Sequence, residues 1–145
     1  MSIKYLYYTE DTGTGGQLSA AFAVPGLDQI LSMFGGERMA IHSADADYNS
    51  TASESFETLA DAQAAYLNHT WIYLTGDAPT FLDELTPLPN DVVYVVGHDS
   101  TGFGGESLNG NAYKLRVLKD SFTGYALTIL STVAIDRWCR MQSWL

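Results

Sequence analysis

Basic side chains are scarce in this chain: seven Lys and Arg stand against seventeen Asp and Glu, giving a net charge of −10. Affinity for phosphate backbones is drawn from Lys and Arg, so a generally basic, nucleic-acid-coating surface is excluded. The basic residues are unevenly spread. Lys114, Arg116, Lys119, Arg137 and Arg140 all fall in the last third, which leaves a local patch open. Cysteine occurs once, as Cys139, so no internal disulfide forms, and beside Trp138 it reads as an ordinary helix residue. No apolar run approaches the length of a membrane span. Met1-Ser-Ile-Lys4 lacks the long apolar core of a secretory leader, so a cytoplasmic location is expected. Internal repeats, linkers and low-complexity tracts are missing too, and residues 1–145 are expected to form a single α/β domain.

What is present is enough apolar material for a core, 46% of residues with 12% aromatic, in a chain of ordinary domain length. The organising stretch runs from Asp91 to Gly105. Val92–Val96 is an unbroken β-branched and aromatic run, the pattern of a strand buried on both faces of a mostly parallel sheet. It feeds a loop holding Gly97, Gly102, Gly104 and Gly105. In open α/β sheets ligands lie beyond the carboxyl ends of strands, where glycines let the backbone come close. The plainer reading of the same stretch is a strand-to-loop turn, because glycines without fixed spacing are a weak motif.

In chain order, Ile3–Tyr8 reads as a first strand, Gln17–Ala23 as a helix and Leu27–Phe34 as a further short helix. Pro25 and Gly26 are expected to separate these two, and Gly35-Gly36 to end the second. Gly13, Gly15 and Gly16 invite a phosphate-loop reading, but the Gly-Lys-Ser/Thr ending is missing, which excludes a nucleoside triphosphate site of that kind. Arg38–His42 reads as a strand. His42–Ser55 reads as a solvated loop, since its carboxylates do not have calcium-loop spacing. A helix is expected over about Ser55–Asn68, where Leu59, Ala62, Gln63 and Tyr66 share a face. Thr70–Thr75 reads as a strand, Phe81–Leu85 as one or two helical turns, and Tyr113–Leu118 as a strand with Lys114 and Arg116 pointing outward. A final helix carries Ile129, Leu130, Val133, Ala134, Arg137, Trp138 and Met141 at three- and four-residue steps, with Ser121 as its N-cap. Such a stripe ordinarily packs on a core. Strands alternating with helices define a mostly parallel sheet with helices on both faces.

The second half resembles the SPOUT family of S-adenosylmethionine-dependent RNA methyltransferases, in particular its small ribose 2′-O members. Four segments carry the resemblance, over roughly Thr58 to Trp138. They are the Leu59–Tyr66 helix followed by a strand ending Tyr73-Leu-Thr-Gly76; Tyr94-Val-Val-Gly-His-Asp-Ser-Thr-Gly-Phe103, similar to the family's strand-Gly-Pro-Glu-x-x-Gly-Leu loop; Tyr113-Lys-Leu-Arg-Val-Leu118, similar to the strand before its cofactor loop; and Ser121-Phe-Thr-Gly-Tyr-Ala126, where the family carries Ser-Leu-Asn-x-Ser. The resemblance implies a deep C-terminal trefoil knot and S-adenosylmethionine held by Leu74, Thr75, Gly76, Gly97, Val117 and Leu118. It implies His98, Asp99 and Ser121 as catalytic residues and no metal. It also implies RNA reached through Lys114, Arg116 and Lys119, and a homodimer built on the last helix. The departures are specific. The family's Asn-x-Gly-x-x-x-Arg motif falls on Gly13-Thr-Gly-Gly-Gln-Leu-Ser19, which puts Ser19, or Gln17 in the shifted register, where the arginine belongs. Asp99 is shorter than the family's glutamate, and Thr123 replaces asparagine. A 2′-hydroxyl is a very weak acid, so its methylation needs a base, for which His98 or Asp99 stand, or a cation for the developing alkoxide, for which Arg116 or Lys119 stand. Two other functions fit the same residues. One is a non-catalytic SPOUT-like protein that binds S-adenosylmethionine or a related nucleotide metabolite, or serves as an interaction module. The other is a different enzyme on a flavodoxin-like sheet.

Overall fold

The computed structural model describes residues 1–8, 23–41, 51–97, 103, 105–116 and 126–142. Among them lie the strands β1 (Ser2–Tyr7), β2 (Glu37–Ile41), β3 (Glu54–Phe56), β4 (Thr70–Leu74), β5 (Asp91–Val96) and β6 (Asn111–Tyr113). They join in one six-stranded sheet of order β3-β2-β1-β5-β4-β6, every pairing parallel. Three helices accompany it: α1 (Ala23–Met33), α2 (Leu59–Ala65) and α3 (Ala126–Met141). β1 and β5 are central, and Val92–Val96 is buried throughout, as an apolar run without alternation requires.

The two sheet faces bury different residues. Ile3, Tyr5, Tyr7, Ile72, Leu74, Val92, Tyr94 and Val96 pack with Leu27 and Leu31 of α1 and with Leu130, Val133 and Ala134 of α3. Leu6, Tyr8, Met39, Ile41, Trp71, Tyr73, Val93 and Val95 pack with Leu59 and Ala62 of α2. The period-two alternation of strand side chains thus seats helices on both faces, the architecture the sequence implies. The path of 98–102 and 117–125, on which the expected knot depends, lies outside the described residues, as do the expected helix over 17–22 and His42.

Several boundaries differ from the sequence reading, each for a physical reason. α1 runs through Pro25 and Gly26, because proline in a first helical turn gives up no hydrogen bond. It ends as expected, with Gly35 at φ 82° and Gly36 N–H on the Leu31 carbonyl at 2.8 Å. The helix expected from Ser55 starts at Leu59, where the Thr58 hydroxyl caps the Asp61 N–H. Residues 54–56 instead pair with β2 as a polar edge strand. The strand expected over Tyr113–Leu118 is displaced: β6 is Asn111–Tyr113. Lys114 is drawn off by the segment at 80–82, donating to Thr80 O at 3.0 Å and accepting from Leu82 N–H at 2.8 Å.

Two arginines are buried, Arg38 and Arg137. Arg137 donates to Pro89 O at 2.7 Å and to the Tyr94 hydroxyl at 3.2 Å, so this member of the α3 stripe holds the start of β5 rather than filling the core. Tyr94 stacks on Tyr5 with centroids 5.5 Å apart. Burial pushes the hydroxyls of both tyrosines above their ordinary value, for Tyr94 against the lowering effect of Arg137. The consequence for stability has a definite sign. Below about pH 10 these phenols are protonated whether the chain is folded or not. Above it the unfolded chain releases their protons while the fold retains them, so the folded state binds more protons and stability falls as pH rises. Urea midpoints should therefore decline from about pH 10 upward. A Tyr5→Phe variant should decline less steeply; an identical decline would remove Tyr5 from the account.

Candidate functional site

The carboxyl ends of the strands form a continuous ledge. Tyr7 is registered with Val96, Val96 with Leu74, and Leu74 with Tyr113. Two cross-links close the ledge beyond the strands: Tyr8 N–H donates to Val96 O at 2.8 Å and Thr75 N–H to Tyr113 O at 2.9 Å. The chain order turns here, since β1 leads to β2 on one side while β5 leads to β6 on the other. A ledge at such a turning point is where open α/β sheets hold ligands.

Four of the sequence-derived cofactor residues come together on this ledge. Leu74 is buried, Thr75 half-buried, Gly76 exposed and Gly97 half-buried. Thr75 anchors its own turn: its carbonyl accepts from Ala78 N–H at 3.3 Å, and its hydroxyl faces Asp77 N–H at 3.5 Å. Gly97 directly follows Val96, the strand partner of Leu74. Val117, Leu118, His98, Asp99, Ser121 and Lys119 lie outside the described residues, so the ledge stands on the two loops that follow β4 and β5.

Phe103 and residues 105–110 form a strap beside this ledge. Phe103 packs edge-on to Tyr73, 5.3 Å between centroids, and against Tyr8 at 6.4 Å. The Tyr8 hydroxyl donates to Glu106 at 3.2 Å. Gln63 of α2 donates to Ser107 O at 2.9 Å and to the Tyr73 hydroxyl at 3.0 Å, and that hydroxyl donates to Asn109 at 2.5 Å. Burial raises the Tyr73 pKa, with the hydrogen bonds to Gln63 and Asn109 acting the other way, so the phenol stays a donor. Next comes Gly110, against the Trp71 carbonyl. Gln63 was visible in the sequence only as a member of a helix face. Glu106 and Asn109 carried no signal, because their partners are distant along the chain.

Two members of the expected basic patch, Lys114 and Arg116, are described. Arg116 pairs with Asp83 at 2.7 Å and Glu84 at 3.4 Å and lies 3.8 Å from the centre of the Phe81 ring, while the Lys114 ammonium sits 4.4 Å from the same centre. Among the described residues no group of His, Cys, Asp and Glu could hold a metal ion, and no helix is long and apolar enough to cross a membrane.

No family model matches the chain, and no curated protein matches it in sequence. In three dimensions the all-parallel sheet with helices on both faces is the α/β fold of a group of solved RNA methyltransferase structures. A Bacillus anthracis protein described as a candidate RNA methyltransferase matches with a TM-score of 0.66 at 11% identity, over 99% of this chain and 96% of that one. A protein described for 2-OH methylation of C/U34 on tRNA matches with a TM-score of 0.64 at 12% identity, over 98% and 97%. The SpoU methyltransferase AviRb from Streptomyces viridochromogenes gives a TM-score of 0.71 at 8% identity over 98% of this chain, which spans 60% of that one. At such identities the likeness establishes the fold, and the resemblance read from the sequence agrees with it.

Proposed function

We propose that the chain is a SPOUT-type RNA methyltransferase that uses S-adenosylmethionine and modifies a ribose 2′-hydroxyl. The observation that carries this reading is the ledge: Leu74, Thr75 and Gly76 stand beside Gly97 at the turning point of a sheet whose fold is shared with RNA methyltransferases, one of them described for 2-OH methylation of tRNA. The ledge presents backbone rather than charge, which suits a neutral adenosine. Backbone groups of Leu74, Thr75, Gly76 and Gly97, with Val117 and Leu118, would hold the cofactor. When bound, S-adenosylmethionine supplies an activated methyl on a sulfonium sulfur. His98 or Asp99 takes the proton of the attacking hydroxyl, and Ser121 is the third candidate catalytic residue that the resemblance implies. Arg116 is already satisfied by Asp83 and Glu84, so stabilisation of the developing alkoxide falls to Lys119. The reading takes residues 1–145 as one domain, knotted near its C-terminus, acting in the cytoplasm as a homodimer. Support for the dimer comes from α3, which leaves Ile135, Trp138 and Met141 exposed.

A non-catalytic binder of the same cofactor is the second reading, favoured by one specific feature: Gln17 or Ser19 in place of the motif arginine. Calorimetry with S-adenosylmethionine and its demethylated product tests the ledge, and labelled methyl transfer to bulk RNA separates enzyme from binder. Gly97→Val should weaken cofactor affinity at least tenfold, or about 1.4 kcal/mol, by placing a β-branched side chain on the ledge. An unchanged affinity moves the pocket elsewhere. Binding by the wild type without transfer, even to RNA, decides for the binder.

A further inference from the structure

Resting on the methyltransferase reading, one consequence concerns how RNA is held. The seven Lys and Arg can be followed almost completely, since six belong to described residues. Lys4 pairs with Glu37. Arg38 is buried against Asp28 at 2.6 Å. Arg116 is held by Asp83 and Glu84. Arg137 is buried on Tyr94 and Pro89 O. Arg140 reaches Asp136 at 3.6 Å and donates to Leu85 O at 2.6 Å. Lys114 lies over the Phe81 ring, a contact that orients its charge without neutralising it. Among the described residues the cation neither matched by a carboxylate nor buried is therefore Lys114; Lys119 lies outside them. The chain carries seventeen acidic residues, and several of those described are exposed, among them Glu57, Asp61, Asp77, Asp83 and Glu84.

We infer that this chain does not grip an RNA acceptor through its phosphates on its own, and that a basic partner polypeptide supplies that grip. Even with Lys119 counted as available, each chain offers two cations and the proposed homodimer four, and affinity for single-stranded RNA then falls with salt with a log–log slope of only about −0.7 per phosphate. The field of a chain at −10 opposes a polyanion and attracts a basic chain. Asp83 and Glu84 lower the affinity for phosphates further, because they hold the exposed Arg116.

Fluorescence anisotropy of the full-length chain with a fluorescein-labelled mixed tRNA pool, from 50 to 200 mM NaCl, reads this directly. The expected result is no saturation at about 100 μM protein near physiological salt, with a slope magnitude no greater than about 3. Asp83→Asn/Glu84→Gln, which releases Arg116, steepens the slope by about one. Micromolar binding by the unmodified chain with a slope magnitude of about 4 or more overturns the inference. In a second arm, an arginine-rich peptide joined by a flexible linker stands in for the partner. The fusion should transfer labelled methyl to the tRNA pool at least tenfold better than the chain alone. Equal transfer by the two, or a fusion that binds tRNA without any gain in transfer, overturns it as well. Failure of the methyltransferase reading looks different: calorimetry then shows no S-adenosylmethionine binding, while anisotropy still decides whether the chain holds RNA.

Discussion

Arg38→Ala should lower the free energy of unfolding by about 3–5 kcal/mol, the range found when one partner of a buried ion pair is removed. The Arg38 side chain is 1% exposed, whereas Asp28 is 26% exposed. The guanidinium is held as a fork, Nε to Asp28 Oδ1 at 2.6 Å and Nη2 to Oδ2 at 3.2 Å, and Nη2 donates also to the Thr51 hydroxyl at 2.7 Å. Alanine strands those acceptors and opens a cavity between α1, β2 and residue 51. Ser53 adds to the tie, its N–H and hydroxyl both on the Arg38 carbonyl, so the change also loosens the chain that enters β3. Arg38→Lys should recover only part of the loss, because an ammonium cannot reproduce the planar fork. Asp28→Leu/Arg38→Met should be markedly more stable than Arg38→Ala, since replacing both charges by packed apolar groups leaves neither uncompensated. Urea unfolding measures all three. A loss below about 1 kcal/mol for Arg38→Ala would place the pair among the weak surface ion pairs. The pair lies toward the amino ends of the strands, so cofactor affinity in the folded fraction should be retained.

Much of the fold was legible because burial leaves a simple mark. Val92–Val96 and Thr70–Leu74 are continuous apolar runs, and they are the two strands that carry the ledge. Their order relative to Tyr113 and to the final helix was readable for the same reason. Pairings between distant residues carry no local pattern, and those were missed. Glu54–Phe56 is polar and half exposed, so nothing distinguishes it from a loop until β2 offers an edge. Lys114 and Arg116 alternate as an outward strand face would, yet the segment at 80–84 takes both of them, by backbone pairing and by carboxylates. The ring contacts at Phe103 and the Gln63–Tyr73–Asn109 chain join residues far apart in sequence. The candidate ledge was legible as glycines after strands; the strap beside it was not.

Gly110→Ala should cost about 3 kcal/mol, the upper part of the range for forced overpacking, and should weaken S-adenosylmethionine binding as well. A Cβ built at Gly110 falls 2.0 Å from the Trp71 carbonyl oxygen and 2.9 Å from the Trp71 Cβ. The obstacle is backbone of β4, which is paired with β5 on one side and β6 on the other, so β4 cannot yield and the strap must move. Asn109 lies on one side of the clash and β6 on the other. Displacement therefore pulls Asn109 from the Tyr73 hydroxyl and slides the β6 register, in which Tyr113 opposite Leu74 presents its carbonyl to Thr75 N–H. Stability and ligand affinity are both affected because one residue connects the brace to the ledge. Gly105 supplies the comparison within the same strap. Its φ of +76° asks for glycine, yet nothing lies within 4 Å of its Cβ position, so Gly105→Ala should cost only the conformational penalty of about 1–2 kcal/mol. Denaturant unfolding and calorimetry on both variants separate the two causes. Should Gly110→Ala prove no worse than Gly105→Ala, close approach to Trp71 does not hold the strap, and the ledge must be set by residues before Gly105.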